Sequence, residues 1–155
     1  MKDLSINLIA YCDETITKTD VEKIVSKAVG VKVFELTDCI MAKNVDKCLS
    51  ILNDLKTVKE PAFRILYLLS QTFDKMLYSL LLISEGENYQ DVAKKLSLAP
   101  FIAKKYINSS RSFGENYLTD RIIKVAEIDY AIKDGQIGEW EALENYVIES
   151  CQMII

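Results

Sequence analysis

The residues that could do chemistry are narrowed first by what the chain lacks. Its 155 residues include no histidine, which removes Ser-His-Asp and Cys-His catalysis and the commonest zinc ligand. Four cysteines, Cys12, Cys39, Cys48 and Cys151, show no C-x-x-C spacing. With no signal-peptide pattern at the start, they read as reduced thiols in a cytoplasmic chain. Neither G-x-x-x-x-G-K-[ST] nor G-x-G-x-x-G occurs, so both nucleotide-binding fingerprints are missing. No cofactor and no metal are expected. Asp129 and Lys133 stand at i, i+4, but a catalytic carboxylate needs a partner with a matched pKa and none can be named. The pair reads as a helix-stabilising contact of ~0.2–0.5 kcal/mol. No constellation supports an enzyme.

Two stretches point instead to binding. Asn88–Ser112 looks like a helix-turn-helix, with the small Ala93 where two helices would touch and Lys94, Lys95, Lys104, Lys105 and Arg111 along it. If it bound DNA, Pro100–Arg111 would enter the major groove, with Lys104, Lys105 and Arg111 as contacts. Against this, the chain has 23 acidic and 19 basic residues, a net charge of −4, and phosphate attraction dominates affinity for nucleic acid. Two short helices meeting at a tight turn are also common packing units. The second stretch is the C-terminal one. From Asp134 onward it carries Glu139, Glu141, Glu144 and Glu149 and no Lys or Arg. Trp140 and Tyr146 are residue types enriched at interface hot spots. Trp140, Glu141, Glu144 and Tyr146 therefore form a candidate partner interface that would favour a basic surface. At least one of the two aromatics is expected to cap the core instead.

The elements that must position these residues are helical. The clearest is Pro61–Glu85. Pro61 suits a first helical position and Gly86 a left-handed residue past the end. Ala62, Ile65, Leu66, Leu69, Phe73, Met76, Leu77 and Leu80 recur at spacings of three and four. Arg64, Asp74 and Lys75 interrupt the run, so no uncharged stretch reaches the ~18–20 residues of a membrane span. A central helix wrapped by others is predicted. Before it, Leu4–Cys12 is a short amphipathic segment. Thr19-Asp-Val-Glu22 reads as a capping box starting a helix that ends at Gly30. Val33–Lys43 and Val45–Leu55 form an αα-hairpin with Asn44 as N-cap. After it come Asn88–Ser97, with Asn88 as its cap, then Pro100–Arg111 with Phe101, Ile102, Tyr106 and Ile107. Glu115–Lys133 follows, with Leu118, Ile122, Val125, Ala126 and Ile132 inward. Gly135 ends that helix, and Gly138–Cys151 is the last. Five Gly and two Pro are few for a β-rich fold. The fold class is all-α, a helical bundle around a long central helix.

The order of these pieces resembles the C-terminal half of the delta subunits of bacterial DNA polymerase III, the clamp-loader family. The residues that carry the likeness are Val33-Phe34-Glu35-Leu36-Thr37-Asp38, the Asn44–Leu55 helix, and Pro61 followed by an apolar helix. Val92-Ala93-Lys94-Lys95-Leu96 with Pro100-Phe101 comes next. Arg111-Ser112-Phe113 and Asp129-Tyr-Ala-Ile132-Lys133-Asp-Gly135 complete it. Each motif is weak alone; the order and spacing make the case. The resemblance implies that residues 1–30 are the end of an AAA+ lid domain, where a segment like Ile9-Ala-Tyr-Cys precedes a Thr-Asp-Val-Glu helix. It implies that residues 31–155 are an all-helical collar domain, with Pro61, Leu66, Leu69, Phe73, Leu77, Pro100, Asp129 and Lys133 as structural positions. It further implies a non-catalytic assembly role in a pentameric ring with gamma/tau and delta prime, in the cytoplasm of a bacterium. The sliding clamp and DNA would be reached only through an N-terminal part outside this chain. No membrane contact is expected.

Overall fold

The computed structural model describes residues 18–153. Leu4–Cys12, and the side chains of the Thr19–Glu22 capping box, lie outside the described residues. Seven helices follow in order: α1 Lys18–Met41, α2 Val45–Thr57, α3 Ala62–Ser84, α4 Tyr89–Leu96, α5 Pro100–Phe113, α6 Glu115–Lys133 and α7 Glu139–Gln152. Among the described residues there is no strand.

The bundle is built on α3, which packs against α1, α4, α5, α6 and α7. Its inner stripe is that read from the spacing: Ala62, Ile65, Leu66, Leu69, Phe73 and Met76 are buried, while Leu77 and Leu80 are half-buried. Pro61 lies one place earlier than expected, as N-cap in extended conformation rather than as first helical residue. The helix ends in a Schellman motif. Gly86, at φ 96°, donates to the Ile83 carbonyl and Glu87 to that of Leu82, and a positive φ is cheapest without a Cβ. The helix is not wrapped all round. Phe63, Tyr67, Tyr78 and Leu81 stand on its solvent side.

α2 sits on α1 and α7, joined to α1 by the short turn expected at Asn44, whose side chain accepts from the Lys47 N–H at 3.1 Å. Cys39, Cys48 and Cys151 are buried free thiols there. The Sγ atoms of Cys48 and Cys151 lie 3.7 Å apart, and burial pushes both thiols up from their ordinary value. Such thiols pack as small apolar groups and react poorly. α4 and α5 close the far end of α3 through a smaller cluster of Leu82, Val92, Ala93, Ala103 and Ile107. Ala93 lies at the helix contact, as its size suggested.

Two further sequence expectations are corrected, those at Gly30 and Ala126, and Phe101, named only as an apolar residue of its helix, faces solvent. The helix containing Thr19–Glu22 does not stop at Gly30; α1 runs through it to Met41. The reason is that Val29, Val33, Leu36 and Ile40 continue one buried stripe across the glycine, and an interior glycine costs only about 1 kcal/mol against alanine. Phe101 points outward at 72% exposure, because the inward face of α5 is set by Ala103, Tyr106, Ile107 and Phe113. Ala126 is exposed, and Leu118 and Arg121 are the buried residues of α6.

Candidate assembly interface

The corner where α7 returns against α6 is held by a polar network that the sequence did not announce. Arg121 is 1% exposed. It sits three residues after Leu118 and four before Val125, on the face that an apolar stripe would occupy. Its guanidinium donates to Asp120 at 2.7 Å and to Ser150 Oγ at 3.3 Å, and pairs with Glu149 at 3.5 Å. It also lies 5.2 Å from the Tyr146 ring centroid. Burial would lower the Arg121 pKa, but the hydrogen bond to Asp120 and the charge of Glu149 outweigh it and raise it. Tyr146 Oη donates to the Arg121 carbonyl at 2.9 Å, and Tyr117 Oη to the Ser150 carbonyl at 2.8 Å. Ser150 Oγ in turn donates to the Tyr146 carbonyl at 2.6 Å. Burial pushes the pKa of both tyrosines well above the ordinary phenol value. Residues 25 and 33 positions apart are thus tied by side-chain-to-backbone bonds, which add to the apolar packing of Leu143 and Val147 that holds the acidic C-terminal helix.

The four candidate interface residues separate. Tyr146 is corrected: at 1% exposure it belongs to the core and secures α6 to α7 rather than presenting a surface. Trp140 is half-buried against the core, with Lys56 Nζ 5.4 Å from its ring centroid. Glu144, one turn on, is half-buried, and Glu141 is exposed. Of the structural positions, Leu66, Leu69 and Phe73 are buried and Leu77 half-buried. Pro100 opens α5, and Lys133 meets Asp129 at 2.8 Å on an exposed face.

The basic residues of 88–112 are largely engaged within the fold. Lys95 meets Glu87 at 2.8 Å. Lys104 lies over the Tyr89 ring at 4.3 Å, and Lys105 over Phe34 at 4.2 Å and 3.4 Å from Asp38. Lys94 and Arg111 are exposed. A recognition helix would keep its cations for phosphates and base edges; here α5 is a packing helix of the bundle. No group of three or more Cys, Asp or Glu among the described residues is placed to hold a metal ion, and no described helix is long and apolar enough to cross a membrane.

Comparison with known proteins gives this bundle a family. The family model described as "DNA polymerase III delta subunit, C-terminal domain" matches residues 31–150. The chain is similar to the DNA polymerase III subunit delta of Bacillus subtilis strain 168, 28% identical over 136 residues, 88% of this chain and 39% of that protein. It is also similar to the solved structure of the Bacillus subtilis DNA clamp loader delta protein. There the TM-score is 0.75 at 26% identity, over 86% of this chain and 40% of the other. The chain therefore spans about two fifths of the length of the relatives it matches. The helical bundle, its order of elements and the match over residues 31–150 lead to one statement: the chain belongs to the family formed by the C-terminal domains of DNA polymerase III delta subunits.

Proposed function

We propose that this chain is the assembly part of a clamp-loader delta subunit, a non-catalytic helical collar that holds the subunit in a ring with gamma/tau and delta prime. The observation that carries this reading is the family match over residues 31–150, which coincides with the bundle built on α3. Residues 31–155 are the collar, and residues 1–30 are the end of an AAA+ lid; the start of the match at residue 31 supports that division. Clamp and DNA are handled by the part of such a subunit that lies N-terminal to this region. The setting is the bacterial cytoplasm.

The physical basis is preorganisation. A bundle whose core is already packed loses little conformational freedom when a neighbour docks, so the buried apolar surface of the contact converts more fully into affinity. Trp140, Glu141 and Glu144 supply an aromatic edge and negative charge on α7, which support a basic partner surface. The test is co-purification of the full chain with gamma/tau and delta prime of the same source, in the absence of DNA. A stable complex is expected. A chain that is folded by circular dichroism yet excluded from the complex overturns the reading.

A further inference from the structure

A continuous groove runs along the outer side of the α6–α7 pair. Its larger lobe, of about 380 Å³, has Ile128, Ala131, Ile137 and Ala142 as its apolar floor. A second lobe of about 170 Å³ extends it toward Ile123 and Met153, and the two share Lys124, Glu127 and Glu149. Ile123, in the second lobe, is 56% exposed. From Asp120 to Ala131 the trough follows about 16 Å of helix axis at 1.5 Å per residue. That length matches the three or four turns of an amphipathic helix laid in a groove.

Charge decides among possible occupants. Three carboxylates, Asp120, Glu127 and Glu149, line the two lobes. Asp120 and Glu149 pair with Arg121, and Glu127 with Lys124 at 3.3 Å, so the lining keeps one negative charge in excess, three carboxylates against two cations. Beyond the trough, Asp134, Glu139 and Glu141 add negative charge, and no Lys or Arg follows Lys133 in the chain. A polyanion is repelled, and a second copy of this chain, at net charge −4, is the poorer electrostatic match. The chain's own residues 1–17 carry Lys2 against Asp3, Asp13 and Glu14, again the wrong sign. The geometry points to the α6–α7 groove as the seat of an amphipathic helix from a neighbouring subunit of the assembly, apolar on the face toward Ile128 and Ala131 and bearing Lys or Arg along its edges. This deepens the assembly reading above and rests on it.

The experiment uses the full chain with gamma/tau and delta prime. Ala131→Phe fills the trough from a half-buried position, and Glu127→Lys reverses charge at a site 62% exposed. The second variant keeps the test valid if the first fails to fold. Wild type is expected to join the complex and both variants to bind roughly tenfold or more weakly. A photo-crosslinking residue at Ile123 is expected to capture a Lys/Arg-bearing helix of another subunit. If wild type assembles and the folded variants bind equally well, the groove assignment is overturned and the assembly reading stands. If folded wild type does not assemble, both fall. A crosslink only to a second copy, or to residues 1–17 of the same chain, also overturns the groove assignment.

Discussion

The two long helices α3 and α6 pack on each other but are held in the bundle by different shares of apolar and polar contact. α3 is anchored by apolar contact. Ile65, Leu69, Phe73 and Met76 are fully buried, and Phe73 meets Phe113 edge-to-face at 5.5 Å between centroids. α6 buries only Leu118 and Arg121 completely; it lies on α3 through half-buried Tyr117, Ile122, Val125, Ile128 and Ile132 and adds hydrogen bonds to α7. Apolar burial is non-directional and tolerates small shifts. A buried polar network demands that each donor find its acceptor, and so fixes register more sharply than it adds stability. The contrast explains how a helix with few buried apolar residues can still present an ordered outer face.

The comparison can be broken from either side. Phe73→Ala removes the central anchor of α3 and should cost about 3–5 kcal/mol, read as a lower urea midpoint with an unchanged slope. Arg121→Ala should cost less, about 1.5–3 kcal/mol, because side chains of Asp120 and Glu149 are about half exposed and water replaces their lost partner. A cost for Arg121→Ala equal to that of Phe73→Ala would mean that the network carries energy and not only register.

Tyr146→Phe takes out one hydrogen bond of that network, about 0.5–1.5 kcal/mol near neutral pH. It also sharpens the contrast through pH. Burial holds the Tyr117 and Tyr146 phenols above their ordinary pKa, so the unfolded chain gives up these protons first. Their contribution is complete below the unfolded value of about 10 and is lost as pH rises from there toward the folded values. The buried Cys48 thiol, also raised, acts in the same direction from its ordinary value of 9.0 upward. Stability should therefore be flat to about pH 9 and fall beyond it, with a shallower fall in Tyr146→Phe. An identical alkaline slope in the variant would show that the phenol is not the group titrating.

The smallest effect belongs to neither mechanism and gives the scale for the others. Gly30 sits within α1 with nothing within 4 Å of an added Cβ. Gly30→Ala should stabilise by about 0.5–1 kcal/mol, seen as a raised thermal midpoint.

What could be read from the sequence divides along the same line. The α3 stripe, the Asn44 and Asn88 caps, Pro100 at the head of α5 and the glycines at 86 and 135 are local signals. Each was legible because residues close in sequence decide it. Asn88 accepts from the Asp91 N–H at 2.9 Å, and Gly135 closes α6 with the same pair of bonds that Gly86 makes for α3. Arg121 and Tyr146 could not be placed, because their partners other than Asp120 lie more than twenty residues away and an arginine in a stripe reads as an interruption. Gly30 misled for the opposite reason: a local stop signal was overridden by a buried stripe that continues past it. Of the candidate interface, the acidity of α7 was visible, whereas the groove needed α6 laid alongside it.

That unbroken passage through residue 30 has a mechanical consequence. At 24 residues, α1 is a rod of about 36 Å. The family match begins near its middle, at residue 31. A flexible linker at this place would let the two sides turn independently. A continuous helix makes them one lever: a tilt imposed on its first turns arrives at Val33, Leu36 and Ile40 undiminished, and through them at the packed centre of the bundle.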